Sequence, residues 1–282
     1  MKVSILEPKG YCAGVAHAIK VALQAKEDYP NKNVYILGML VHNHHVVNLL
    51  NDKGIKMVKS FDSIGDGDVI VFNADGHSKE QREIAESKHL IIYDAICPKV
   101  ASNLKKIVDE ITSGHQVIYI GQEHHQETQI AIGVIEGVCF YDEKKKFDYS
   151  LIKDPSPFVL NQTTLNSLDI VNLHKDILSH IPGARISNEI CPTTRKRQEA
   201  VQYLDDDVDA VIVVGDQVSS NSKRLFEIAK STHPNIDVFM VSDPEEVDVE
   251  ALKNKKHIAI SSGASTPRDV IDIIYQNLIT LE

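Results

Sequence analysis

Three cysteines stand where helices are expected to begin. Cys97 and Cys191 each lie between Ile and Pro, in "DAICPKV" and "NEICPTT". Proline is favoured at the first position of a helix, where its missing N–H is not needed, so each Cys-Pro pair predicts a cysteine at a helix N-cap. Cys12, in "KGYCAGVAHAIKVAL", precedes a stretch whose Val15, Ile19, Ala22 and Leu23 recur on one helical face. The free N–H groups and dipole of a helix N-terminus favour thiolate over thiol, the form that ligates metal. Three thiolates are one short of the four ligands that structural zinc or a fully ligated iron–sulfur cluster takes, so a 4Fe-4S cluster with one open iron fits the count. Spacing alone leaves this only suggested, since no C-x-x-C is present and the separations match no zinc pattern. The fourth cysteine, Cys139, lies inside a strand-like run and reads as a core residue.

Two further sets of residues could do chemistry. Ser219, Ser220 and Asn221 in "VVGDQVSSNSKRL", Ser265 in "ISSGASTPRDV", and Thr163 and Thr164 in "LNQTTLN" each follow a strand-like run and open a helical one. Such helix starts bind phosphate through hydroxyls and N–H groups without needing many cations, although ordinary capping uses the same residue types. Histidines crowd "LVHNHHVV" and "GQEHHQETQ", where His42, His125 and Glu127 are groups able to move protons.

The elements that must position these groups are short aliphatic runs alternating with helical periods. Nine runs read as strands, at 34–40, 69–72, 90–95, 117–121, 137–142, 158–162, 210–215, 238–242 and 258–263. They fall three before Cys97, three between Cys97 and Cys191, and three after. The expected fold is therefore α/β: three pseudo-symmetric lobes with largely parallel sheets, at 1–96, 97–190 and 191–282, the last ending in a helix. The 282 residues carry 40 acids against 30 bases, a formal charge of −10, which argues against a general affinity for nucleic acid or anionic membrane. No run has the length of a signal peptide core or a bilayer span, so a cytoplasmic protein is expected, with its cysteines as thiols or ligands rather than disulfides.

Taken in order, "GYCAGV", "VHN", "DAICP", His125-x-Glu127, "NQTTL", "EICPTTRKRQEA", "SSNSKRL" and "SGAS" resemble the 4-hydroxy-3-methylbut-2-enyl diphosphate reductase family, also called LytB, from Met1 to about residue 270. The resemblance implies a trefoil of three α/β lobes around a 4Fe-4S cluster held by Cys12, Cys97 and Cys191, with one open iron. It implies reductive removal of a hydroxyl from an allylic diphosphate, giving isopentenyl and dimethylallyl diphosphates, with electrons from ferredoxin or flavodoxin. Glu127 would relay protons with Thr163 nearby, His125 would orient the substrate, and His42, Ser219, Ser220, Asn221 and Ser265 would hold the diphosphate. One position departs from the family. "NADGHS" places Asp75 where a diphosphate-contacting histidine is expected, with His77 two residues on as a candidate substitute. Gln126 stands where Pro is usual, and Thr193 where Ala is more frequent. Asp75 keeps open a paralogue that retains the cluster and acts on another substrate. A non-enzymatic iron–sulfur sensor and a zinc-bound structural protein are the remaining alternatives.

Overall fold

The computed structural model describes residues 1–187 and 190–281. Asn188 and Glu189, which open the second Ile-Cys-Pro stretch, lie outside the described residues. Along the first half of the chain run β1 (Lys2–Ile5), α1 (Ala13–Asp28), β2 (Val34–Leu37), α2 (His44–Asp52), β3 (Ile55–Val58), β4 (Val69–Phe72), α3 (Lys79–Ser87), β5 (Ile91–Asp94), α4 (Pro98–Thr112) and β6 (Val117–Gly121). The second half continues with α5 (Gln126–Gly133), β7 (Val138–Asp142), β8 (Phe158–Asn161), α6 (Ser167–His180), β9 (Arg185–Ile186), α7 (Pro192–Gln202), β10 (Ala210–Val214), α8 (Ser220–Thr232), β11 (Asp237–Val241), α9 (Val249–Leu252), β12 (His257–Ser262) and α10 (Arg268–Ile279). No helix among the described residues is long and apolar enough to cross a membrane.

The strands form three four-stranded sheets in the orders β3-β2-β4-β5, β7-β6-β8-β9 and β11-β10-β12-β1. Every ladder is parallel. Each sheet follows one plan: β2, β6 or β10 pairs with the two strands that follow it in the chain, and a fourth strand, β5, β9 or β1, adds beside the second of these. Parallel strands need crossovers, and the amphipathic stretches between them supply these as helices. All nine predicted strands are present. The three that periodicity did not reveal, β1, β3 and β9, are edge strands.

The third sheet corrects the expected boundaries. β1 pairs with β12 in the register Lys2↔His257 to Ile5↔Ile260, so the N-terminal strand belongs with the last sheet and not with the first lobe. The chain divides into two compact units, Met1–Ala16 with Val41–Leu49 and Pro192–Glu282, and His17–Leu40 with Leu50–Cys191. The first holds the β1-containing sheet and the second holds the other two.

Central strands are buried on both faces, as expected where helices cover a parallel sheet. Val34, Ile36, Val69, Ile70, Val71, Ile118, Ile120, Val211, Ile212 and Val213 are all wholly buried. One face of α4 meets the core: Val100 and Ile107 are buried, and Leu104 and Ile111 pack against the same core as Val117, Tyr119 and Leu160. In the unit that contains β1, Gly215 and Gly263 end β10 and β12. A Cβ at either would lie 2.3 and 2.2 Å from Ser222 Oγ, respectively. Only glycine lets the first turn of α8 approach these strand ends so closely.

Candidate active site

The shared sheet plan sorts the chemistry by position. In open parallel sheets, ligands bind beyond the carboxyl ends of strands, at the point where strand order reverses. That point lies between β2 and β4, β6 and β8, and β10 and β12. The segments leaving these six strands carry, in turn, His42, Asp75, His125 with Glu127, Thr163, Ser219 to Asn221, and Ser265. The cysteines follow the fourth strand of each sheet: Cys12 after β1, Cys97 after β5, Cys191 after β9.

In the unit built on the β2 and β6 sheets, the carboxylate of Glu127 is the centre of a buried network. Glu127 sits in the first turn of α5 and is 1% exposed. Its Oε2 accepts from Thr163 Oγ1 at 2.7 Å, and its Oε1 accepts from the Thr163 backbone N–H at 2.9 Å and Tyr119 Oη at 3.3 Å. Burial raises the carboxyl to about 7, the Thr163 hydroxyl opposes this, and the negative charge of Asp75 adds to the rise. Burial, with the Glu127 charge, also pushes the Tyr119 phenol well above its ordinary value. His125 is the N-cap of α5, its Nδ1 accepting from the Glu127 N–H at 3.2 Å. The ring thus fixes the turn from which Glu127 projects.

Asp75 is half-buried, and its N–H donates to Asn73 Oδ1 at 3.1 Å. Asn73 in turn donates to Gln126 Oε1 at 3.1 Å, so the unexpected Gln126 ties the start of α5 to the loop bearing Asp75. His77 is turned elsewhere. Its Nε2 lies 3.4 Å from Asp94 Oδ2, its Nδ1 3.1 Å from the Ser78 carbonyl, and its ring stacks on Phe72 with centroids 4.1 Å apart. Both ring nitrogens are engaged, and the Asp94 carboxylate raises the imidazole's pKa.

Cys97 is the N-cap of α4 with Pro98 beside it, as its sequence predicts. The Cys191 N–H donates to the Thr163 carbonyl at 3.3 Å, which sets it next to the Glu127 network. Both cysteines lie within electrostatic reach of the Lys99 ammonium, whose pKa is lowered by burial and by the neighbouring Lys106 charge. Cys139 is a partly buried strand residue whose thiol is pushed up by burial, in keeping with a packing role.

In the other unit, Ser219 caps α8 by accepting from the Ser222 N–H at 3.3 Å. Asn221, 5% exposed, has neither its amide oxygen nor its amide nitrogen satisfied within the protein. A buried amide left so costs about 1–3 kcal/mol, a penalty a polar ligand would relieve. Ser265 donates its hydroxyl to the His42 carbonyl at 3.2 Å, and the Cys12 N–H donates to the neighbouring Ala264 carbonyl at 3.0 Å. Cys12 Sγ accepts from the Val15 N–H at 3.4 Å, the N-cap position expected for it.

Tyr119, Lys99 and Arg197 did not emerge from the sequence as site residues. Tyr119 is indistinguishable there from a core residue of its strand. Arg197 is 2% exposed and donates to the carbonyls of Ser262 and Gly10, both at 2.6 Å, joining the end of β12 to the loop before Cys12. A guanidinium has five donors in a fixed fork, which suits it to holding two backbone segments. Its only sequence signal was its place inside the "CPTTRKRQEA" stretch.

The donor chemistry of the cysteines suits an iron–sulfur cluster. All four cysteines are thiols, none in a disulfide, and three of them lie at helix starts while the fourth lies in a strand. These residues fit a cluster with three protein ligands.

The family model described as LytB protein matches residues 3–279. A 4-hydroxy-3-methylbut-2-enyl diphosphate reductase from Brevibacillus brevis is 35% identical over 288 aligned residues, covering 98% of this chain and 92% of the relative. The solved E-1-hydroxy-2-methyl-but-2-enyl-4-diphosphate reductase from Plasmodium falciparum superposes with a TM-score of 0.87 at 27% identity, covering 99% of this chain and 88% of that one. A second solved structure, (E)-4-hydroxy-3-methyl-but-2-enyl diphosphate reductase, described as the terminal enzyme of the non-mevalonate pathway, gives 0.71 at 27% identity and 99% coverage of both chains. The cysteines at helix starts and the buried Glu127 carboxyl thus sit in a chain that belongs to the LytB family.

Proposed function

We propose that the protein reduces (E)-4-hydroxy-3-methylbut-2-enyl diphosphate to isopentenyl and dimethylallyl diphosphates, in the cytoplasm, with ferredoxin or flavodoxin as electron donor. The balance is one C–O bond broken, two electrons and two protons taken up, and one water released. The observation that carries this reading is the Glu127 carboxyl, buried and held near pH 7 beside Thr163 in a LytB chain. A carboxyl with that pKa is both donor and acceptor of protons at neutral pH.

Cys12, Cys97 and Cys191 would hold a 4Fe-4S cluster. When bound, it supplies electrons one at a time and an open iron position. The chain's own residues do the rest. Glu127 holds the proton needed for loss of the hydroxyl as water, and the Thr163 hydroxyl on Oε2 keeps the carboxyl in one orientation. Tyr119 on Oε1 fixes the other oxygen. His125 orients the substrate and sets the turn carrying Glu127. Ser219, Ser220 and Asn221 at the start of α8, with Ser265 and His42, receive the diphosphate, and the unsatisfied Asn221 amide is the group that gains most from it.

Asp75 favours a second reading, a paralogue with a different substrate, because a carboxylate facing a diphosphate replaces attraction with repulsion. Against that stands a use for the charge, since Asp75 helps keep Glu127 protonated. Anaerobic turnover of the diphosphate by cluster-loaded protein, followed by oxidation of reduced methyl viologen, decides between them. Turnover that is lost in Glu127→Gln supports the reductase. An intact cluster without turnover, especially if Asp75→His restored it, would sink that reading in favour of the paralogue.

A further inference from the structure

The histidines next to His42 belong to a different constellation. His44 and His45 open α2, and their rings lie 4.0 Å apart, centroid to centroid. Both point at one carboxylate oxygen: Asp243 Oδ1 lies 3.3 Å from His44 Nε2 and 3.2 Å from His45 Nε2, and Asp243 Oδ2 is 3.1 Å from His44 Nε2. The three ligating groups converge to within 4.8 Å of one another. With zinc–ligand bonds of about 2.0–2.1 Å, the edges of a tetrahedral site are about 3.3 Å, which the two His–Asp separations match.

The fourth participant distinguishes this arrangement from chance contact. Asp216 Oδ2 lies 3.0 Å from His44 Nδ1 and also accepts the His44 backbone N–H at 3.1 Å. A carboxylate on Nδ1 fixes the tautomer that leaves Nε2 as a lone-pair donor, the support that metal-ligating histidines usually have. Asp216 is itself held by the Val218 N–H on Oδ1 at 3.0 Å. The Ser242 carbonyl also lies 3.2 Å from His45 Nε2, a hydrogen bond that a bound ion would replace. The ligand side chains are 25–35% exposed, so an ion can enter from solvent and keep a water.

We propose that His44, His45 and Asp243 form a binding site for a divalent cation of the zinc class, with Asp216 as the positioning residue for His44. The site is distinct from the cysteines and independent of the reading given above. The ion would fasten the turn that carries His42 to the segments following β10 and β11. A second His-carboxylate group, Asp205, Asp207 and His257, lacks this geometry: the His257 ring already meets Asp207 through Nδ1 and Ser4 Oγ through Nε2, each at 2.8 Å.

The test is titration of the full-length, cluster-loaded protein with zinc alone against a chromophoric chelator, under anaerobic conditions with the cluster absorbance monitored. One zinc per chain is expected. His44→Asn and Asp243→Asn should weaken it by at least tenfold, Asp216→Asn by about 10–100-fold, and Asp207→Asn not at all. Zinc-edge X-ray absorption of the unmutated protein should show two imidazoles and oxygen neighbours, so the answer does not depend on the variants folding. No saturable zinc uptake by the intact protein, or a sulfur shell around the zinc, would overturn the proposal. So would uptake that His44→Asn and Asp243→Asn leave unchanged.

Discussion

Replacing Thr163 by Val keeps the side-chain shape and deletes one hydrogen bond, from Thr163 Oγ1 to Glu127 Oε2 at 2.7 Å. That bond stabilises the carboxylate over the acid, so its loss raises the Glu127 pKa. A hydrogen bond to a charged group contributes about 1.5–3 kcal/mol, and each pKa unit corresponds to about 1.36 kcal/mol, so the rise is about 1–2 units. From about 7, the carboxyl moves to about 8–9. The Thr163 backbone N–H and the Tyr119 hydroxyl remain on Oε1, so the carboxylate keeps two of its three donors. If the protonated carboxyl is the form that acts, the alkaline limb of the pH–rate profile shifts upward by those 1–2 units. Thr163→Ser, which retains a hydroxyl, leaves the limb in place. The assay is anaerobic turnover across pH, with infrared detection of the protonated carboxyl as a direct reading of Glu127. A limb that stays fixed in Thr163→Val, or moves to lower pH, refutes the assignment of this group.

Three other outcomes are expected. Asp75→Asn removes a neighbouring negative charge, so the Glu127 pKa falls and the alkaline limb moves to lower pH; the same profile measures it. Glu127 has its folded pKa raised, so its relative stabilising contribution is full below about 4.5 and is lost as pH rises through about 7. Glu127→Gln should therefore be more stable than the parent at pH 8 by about 3 kcal/mol, with the gap closing in acid, as read by denaturant unfolding at each pH. Gly263→Ala should destabilise by about 1–3 kcal/mol through overpacking. Adding Ser222→Ala should relieve Gly263→Ala, where Ser222 Cβ would be 3.5 Å from the new methyl, better than Gly215→Ala, where it would be 2.9 Å; thermal melts of the two double variants compare them.

What could be read from the sequence follows from what each position buries. Strands with two covered faces announce themselves as runs such as "AVIVV" and "VIYIG", and all such runs became the middle of a sheet or lay beside it. β3 has only the four residues Ile-Lys-Met-Val and β9 spans only two, too little pattern to separate from a loop. β1 has the same weakness, and its pairing with β12 leaves no local trace at all. Among site residues, Cys97 and Cys191 were legible as helix starts because Pro follows each, and Cys12 because a helical period follows it. The charge environment of Glu127 was not, because Tyr119 and Asp75 reach it through tertiary packing. His77 shows the same limit: two residues from Asp75 in sequence, it is committed to Asp94 and Phe72 in space.

The pairing of β1 with β12 imposes an order of assembly. β1 must wait for a strand about 250 residues further along the chain, since Lys2 finds its register only on His257. Contacts of such long sequence separation form late and slowly, while the two sheets built wholly from residues 34–186 can complete themselves locally. Until β12 arrives, β1 is a short unpaired strand, and the exposed Lys2 is the kind of residue that discourages wrong partners. The loop bearing Cys12 therefore gains its frame only once residues 257–262 have been made, so a chain lacking β12 would present two framed cysteines and one still on an open strand.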